Sequence, residues 1–200
     1  MNIKLYYTPK TRSLRPRWLL EELEVPYELV TIDLFGGEGN KPEYRRIHPH
    51  GAVPALEVDG QIMLESGAMC QWLADHFSDK QLAPEPGSPE RRQYDQWMYY
   101  VPGTLEPPYF YYLLHTMILP ESNRIPELVP WLEQQFPARL KVLNTALENK
   151  SYLMGDHFTA ADIMVGSTLM WLPQYLEDYP ALTDYVRTLQ ARAKYEIASG

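Results

Sequence analysis

Residues 53–77 read VPALEVDGQIMLESGAMCQWLADHF, and they decide the fold. Residues 55–58 and 61–64 are short apolar runs on either side of Asp59-Gly60. That dipeptide favours the positive φ values of a two-residue turn, so the pair predicts a β-hairpin. After Glu65-Ser66 the apolar period lengthens. Met69, Trp72, Leu73 and Phe77 then share one face, which predicts a helix running to residue 77.

Upstream, residues 3–7 (IKLYY) read as a strand. Residues 15–23 carry Trp18, Leu19 and Leu23 at helical spacing, with Pro26 as a stop. Residues 27–34 (YELVTIDL) alternate and predict a second strand, and residues 42–47 predict a short helix. A βαβ unit followed by ββα is a thioredoxin-like arrangement, so residues 1–78 are expected to form an α/β domain. Residues 79–89 (DKQLAPEPGSP) lose apolar periodicity and hold three prolines, as a linker would. Beyond them no strand signal occurs. Residues 91–118, 128–147, 160–172 and 182–197 read as helices, so residues 90–200 are expected to be all-helical. Pro102, Gly103, Pro107 and Pro108 should kink or interrupt the first of these. Thr159-Ala160-Ala161-Asp162 carries a capping-box signature ahead of an apolar run, a structural role.

Composition narrows the function. The chain has 200 residues, 45% hydrophobic and 22% charged, an ordinary globular balance. No apolar run approaches the roughly 20 residues of a membrane span, and MNIKLYYTPKTR lacks the apolar core of a secretory signal. A cytoplasmic protein with no membrane partner is expected. The net charge of −8 argues against nucleic acid as a partner. Arg12, Arg15 and Arg17, then Lys41, Arg45 and Arg46, are nevertheless locally dense enough to hold a small anion. Cys70 is the lone cysteine, which excludes an internal disulfide. His48 and His50 lack an evident third ligand, so no metal is expected. Cys70 falls inside the helix predicted after Ser66 and reads as a small buried residue rather than a redox thiol.

Three segments together resemble the cytosolic glutathione transferases, including bacterial members. They are KLYYTPKTRSLRPRWLLEEL, then NKPEYRRIHPHGAVPAL with LESGAMCQWL, and LMGDHFTAADI, in the family's order and over nearly the whole chain. The resemblance implies a thioredoxin-like domain followed by an all-α domain, glutathione as co-substrate, a hydrophobic electrophile as second substrate, and a homodimer. It implies a cis Pro54 that leaves the Val53 N–H and C=O to pair with the ligand's cysteinyl backbone, an added-strand contact. Glu65 would meet the ligand's ammonium group, while the Ser66 hydroxyl and the helix start would take a carboxylate. The glycyl carboxylate would fall to Lys41, His50 or Arg46. Family members often carry Asn-Pro-x-Gly and a Lys or Gln before Val-Pro, whereas this chain has His48-Pro49-His50-Gly51-Ala52.

A thiol of pKa near 8.5 must be activated to be a nucleophile at neutral pH, and the family does so in the loop after the first strand. Three alignments compete there. A serine-type pattern puts Thr11 at the activating position, a bacterial cysteine-type pattern puts Arg12 where that class has cysteine, and a tyrosine-type pattern would use Tyr6 or Tyr7. Ser13 as N-cap would place Pro16 in the first helical turn, where its missing N–H costs nothing. The resulting order of candidates is Thr11, Arg12, Ser13. In the helical half, Tyr100, Thr104 and Tyr111 are assigned to the electrophile pocket. The leading expectation is a conjugating transferase. A non-catalytic binding protein on the same fold, or a glutathione-dependent isomerase or dehalogenase, is the alternative.

Overall fold

The computed structural model describes residues 1–200, which form two compact units: Met1–Pro86 with Gln190–Gly200, and Gly87–Leu189. The first unit is built on β1 (Ile3–Tyr7), α1 (Leu14–Leu23), β2 (Glu28–Thr31), α2 (Pro42–Arg45), β3 (Ala55–Val58), β4 (Gln61–Met63) and α3 (Ser66–His76). The strands lie in the order β2-β1-β3-β4, with β2 parallel to β1 and the other two pairings antiparallel. Asp59 and Gly60 both have positive φ, 48° and 82°, as the hairpin predicts. Trp18, Leu19, Leu20 and Leu23 of α1 and Met69, Cys70 and Leu73 of α3 are fully buried, so the two helices meet through their apolar faces.

The second strand stops at Thr31 rather than Leu34 because Asp33 redirects the chain. Its carboxylate accepts the Gly36 N–H at 2.7 Å, while its own N–H donates to Glu38. Farther on, Gly39 and Gly51 pack back to back. A Cβ on either would lie 2.3 Å from the other's carbonyl oxygen, so no other residue fits without moving the loop that leads into β3.

The second unit is helical: α4 (Pro89–Tyr100), α5 (Glu106–Leu113), α6 (Val129–Glu133), α7 (Phe136–Leu147), α8 (Ala160–Leu169) and α9 (Pro180–Gln190). The prolines after residue 100 do not break the chain out of helix. A π-helical turn, Val101–Leu105, takes in Pro102, and Pro107 and Pro108 fall in the first turn of α5, where a missing N–H costs little. The stretch 128–147 does break, at Gln134-Gln135. Pro137 cannot donate to the preceding turn but fits the first turn of α7. Every residue of α8 is buried, and its Thr159–Asp162 capping box closes as the sequence predicts.

The run expected over 182–197 divides at Arg192, and α10 (Ala193–Ser199) joins the first unit. No proline or glycine lies at the break. Arg192 is extended there and donates twice to Glu22 of α1, Nε to Oε1 and Nη2 to Oε2, each at 2.7 Å. The Trp18 indole donates to the same carboxylate at 3.0 Å, and its ring meets Tyr195 edge-on. The Glu22 side chain is 7% exposed. Truncating Arg192 to alanine removes both bonds to a nearly buried carboxylate, so a loss of about 2–4 kcal/mol is expected in urea denaturation. Arg192→Lys should recover only part, since an ammonium cannot reproduce the fork.

Candidate functional site

One end of the first unit's sheet gathers three turns of the chain. Tyr6 pairs with Ala55 and Leu56 with Met63, both antiparallel. Continuing that register sets Thr8 opposite Val53, and Val53 opposite Ser66. The loop after β1, the approach to β3 and the junction of β4 with α3 are therefore neighbours.

At the middle turn the Val53–Pro54 bond is cis. The pairing of β3 with β1 starts at Ala55, so the Val53 N–H and C=O lie outside the ladder. The Val53 side chain is buried with Tyr6, Ile32, Tyr44 and Ala55. Side chains of α2 fix the loop before it. Tyr44 Oη donates to Ala52 O at 2.7 Å, and Arg45 donates to Pro49 O and Asn40 Oδ1. Around this turn Lys41, Arg46 and His50 are exposed, with Lys41 near Glu38 at 3.8 Å. His48 is buried against the Tyr44 ring, and burial lowers its pKa.

At the third turn Glu65 is exposed and held at φ 71°, a costly region for a non-glycine residue and one that clusters at ligand sites. The first i→i−4 bond of α3 is Met69 N–H to Glu65 O. The N–H groups of Ser66, Gly67 and Ala68 thus have no partner within the helix. With the helix dipole they form a seat for an anion. Ser66 is 7% exposed and its Oγ accepts from Arg15 Nη1 at 3.2 Å.

The first turn contains the candidate activating residues. Ser13 does occupy the position before α1 and puts Pro16 in the first turn. Its hydroxyl does not cap the helix, however, because its backbone is already helical (φ −68°, ψ −14°), and capping needs an extended residue. Instead Ser13 is fully buried and closes the loop on itself. Its Oγ accepts the Thr8 N–H at 3.1 Å and lies 2.8 Å from Thr8 O and 2.7 Å from Thr11 Oγ1. Thr11 Oγ1 also lies 2.7 Å from Thr8 O and accepts the Ser13 N–H. Two hydroxyl protons serve these contacts. One goes to Thr8 O and the other lies between Thr11 and Ser13, so Thr11 spends its proton inside the loop. Arg12 is half-buried.

The tyrosines of β1 are engaged elsewhere. Tyr6 donates to Glu57 at 2.9 Å, and burial first, then that carboxylate, push its pKa up to about 12. Tyr7 is buried under the Arg17 guanidinium. Cys70 is fully buried, and burial raises its thiol to about 12, so it is no nucleophile at neutral pH.

In the second unit Tyr100 and Thr104 come together on Arg139. Tyr100 Oη donates to its carbonyl at 3.3 Å, and Arg139 Nε donates to Thr104 O at 2.8 Å. Tyr111 stands apart, 51% exposed. The residue that sequence reasoning missed is Arg15, counted only as part of a basic cluster. Its signal was its place on the apolar stripe of α1, one turn before Leu19. No helix of the chain is long and apolar enough to cross a membrane.

Residues 5–81 match the model of the glutathione S-transferase N-terminal domain, and residues 119–188 match that of the C-terminal domain. Glutathione S-transferase GstA of Escherichia coli O157:H7 is 30% identical over 84% of this chain and 82% of its own. The disulfide-bond oxidoreductase YfcG of Escherichia coli K12 is 27% identical over 95% and 91%. A glutathione transferase homologue from Sulfitobacter, solved with bound glutathione, superposes with a TM-score of 0.85 at 25% identity, covering 98% of this chain and 96% of that one. With the thioredoxin-like sheet, the helical second unit and these matches in hand, the chain belongs to the glutathione S-transferase family.

Proposed function

We propose that the protein binds glutathione at this end of the sheet and transfers its sulfur to a hydrophobic electrophile. The observation that carries the reading is the register, which, continued past its last pairs, sets the Val53 backbone, left outside the ladder, beside the anion seat at Ser66 and the hydroxyl-lined loop at Thr11. Those three features suit an extended peptide with a carboxylate at one end and a thiol in the middle. Val53 pairs with the cysteinyl backbone beside Pro54. Glu65 takes the ammonium group, Ser66 and the start of α3 take the glutamyl carboxylate, and Lys41, His50 or Arg46 take the glycyl carboxylate. Thr11 donates to the sulfur, with Arg12 and then Ser13 as the alternatives. Tyr100, Thr104 and Tyr111 receive the electrophile. Family membership supports a cytoplasmic homodimer.

Reduction of disulfides by a protein thiol has little support. The loop from Thr8 to Ser13 carries no cysteine, and Cys70 is buried with a raised pKa. Titration with glutathione at neutral pH, followed by thiolate ultraviolet absorbance and by calorimetry, tests the proposal. Saturable absorbance is expected, and Glu65→Ala should weaken binding roughly tenfold through loss of an ionic partner. Heat without a thiolate signal would leave a non-catalytic glutathione-binding protein. No binding would leave the fold alone.

A further inference from the structure

Pro107 and Pro108 enter α5 from a helical turn rather than from a loop, so carbonyls one turn back still look for their N–H groups. In the α register Gly103 O would accept from residue 107 and Thr104 O from residue 108, and neither proline has a hydrogen to give. The π register serves a different carbonyl, since Glu106 N–H donates to Val101 O. Gly103 is exposed, and water can reach its carbonyl. Thr104 is half-buried, and its carbonyl is served from another helix. Arg139 of α7 donates Nε to it at 2.8 Å.

The guanidinium is itself held in place. Its Nη1 donates to Gln135 O at 2.7 Å and reaches Gln135 Oε1 at 3.4 Å, one turn earlier in the chain, which aims the Nε–H at Thr104. In return the Arg139 carbonyl accepts from Tyr100 Oη at 3.3 Å. Tyr100 stands immediately before the π-helical turn and Thr104 within it, so both sides of the turn are clamped to one residue of α7. Turns of this kind occur mostly at functional sites. Without the clamp, a segment that lacks two consecutive helical hydrogen bonds could repack, and Tyr100 and Thr104 would move with it.

We propose that Arg139 is a positioning residue for the electrophile, acting through the π-helical turn. It replaces the hydrogen bond that Pro108 cannot give, and so fixes the Tyr100 and Thr104 side chains that receive the second substrate. A fixed turn presents one wall to the apolar part of the electrophile, which makes the consequence a selectivity by size. The inference rests on the transferase reading given above, and Arg139 itself touches no substrate atom.

The test measures steady-state conjugation of glutathione to allyl and phenethyl isothiocyanate, which share the reacting carbon and differ in apolar bulk. The wild type is compared with Arg139→Met, Pro108→Ala and the double variant. Methionine keeps the aliphatic length and removes every donor. Arg139→Met should raise KM for phenethyl isothiocyanate about tenfold, the scale of one hydrogen bond from a charged group, and KM for the allyl compound no more than about threefold. Both kcat and KM for glutathione should stay within about twofold, because the thiol's own contacts are untouched. Pro108→Ala returns an N–H to the residue four after Thr104, so the helix can make the missing bond itself. Alone it should leave every KM within about twofold, and added to Arg139→Met it should bring the phenethyl KM back to within about threefold of the wild type.

An unchanged phenethyl KM in Arg139→Met would overturn the proposal, as would an equal rise for both isothiocyanates. So would a double variant no better than Arg139→Met, since Arg139 would then act through Gln135 or through packing. Should Arg139→Met fail to fold, the double variant still decides. Folding with wild-type selectivity would support the proposal, and a second failure to fold would assign Arg139 to stability alone. A wild type that conjugates neither isothiocyanate would overturn the transferase reading and this inference with it. A wild type that conjugates both, with a size preference that Arg139→Met leaves intact, would overturn this inference alone.

Discussion

Replacing Asp162 by alanine is expected to lower the unfolding free energy by about 3–5 kcal/mol, enough to unfold a marginal domain. The carboxylate is fully buried. It accepts the N–H groups of Leu153 and Thr159 at 2.8 Å, the Tyr185 hydroxyl at 2.9 Å and the Thr159 hydroxyl at 3.0 Å. It therefore ties the start of α8 to the loop before it and to α9. Alanine strands those donors where water cannot replace the lost acceptor, and each costs on the order of 1–3 kcal/mol. The same site has a pH signature. Burial raises the Asp162 pKa to about 6, against the pull of its donors. A folded pKa above the ordinary 3.8 means that folding favours the protonated form. The contribution is complete below pH 3.8 and is lost as pH rises through about 6. Asp162→Asn cannot titrate there. The stability of the wild type relative to that variant should fall between those two pH values and stay level above them, in urea melts across the range. A difference that grew with pH would mean that the four hydrogen bonds outweigh burial.

That capping box was legible in four letters because its physics is local: a hydroxyl residue, two helix formers and an acid before an apolar run. The hairpin at Asp59-Gly60 and the helix after Ser66 were legible for the same reason. What the sequence hid depends on contacts between distant residues. Nothing near Arg192 stops a helix, and the break comes from Glu22, 170 residues away in the chain. Ser13 has the identity of a cap, yet the loop turns its hydroxyl to Thr8, because the buried Thr8 N–H needs an acceptor more than α1 needs a cap. Arg15 illustrates the limit for the site. A cation on an apolar stripe signals buried partners, but only the packing of α1 on α3 shows Ser66 to be among them. The glycyl end of the ligand shows the opposite difficulty. Lys41, Arg46 and His50 are all exposed and near the right turn, and an exposed side chain carries no packing that would single one of them out.

Thr11→Val is expected to reduce kcat/KM for conjugation about a hundredfold, the scale on which one hydrogen-bond donor to a developing or resident anion contributes in an enclosed site. Valine keeps the shape and removes the hydroxyl, and Thr11→Ser should retain most activity. The loop geometry explains how Thr11 can serve. Without ligand its proton is held by Thr8 O or Ser13 Oγ. When a thiolate arrives, Ser13 can keep its own proton on Thr8 O at 2.8 Å, leaving Thr11 free to turn its proton to sulfur without stranding a buried group. The Ser13 N–H meanwhile continues to donate to Thr11 Oγ1 and strengthens the outgoing bond. Loss of that donor should raise the pKa of bound glutathione thiol by roughly 1–2 units. Thiolate absorbance at neutral pH should then fall, and the rate should climb with pH toward the free thiol's value of about 8.5. Ser13→Ala, which removes the loop's latch, should also slow turnover but with a weaker fold, separable by its melting temperature. Unchanged turnover and thiolate signal in Thr11→Val would remove Thr11 from the mechanism and pass the role to Arg12. There Arg12→Gln would be expected to show the same rise in thiol pKa, and the dependence of that pKa on ionic strength, present in the wild type, should be absent in the variant.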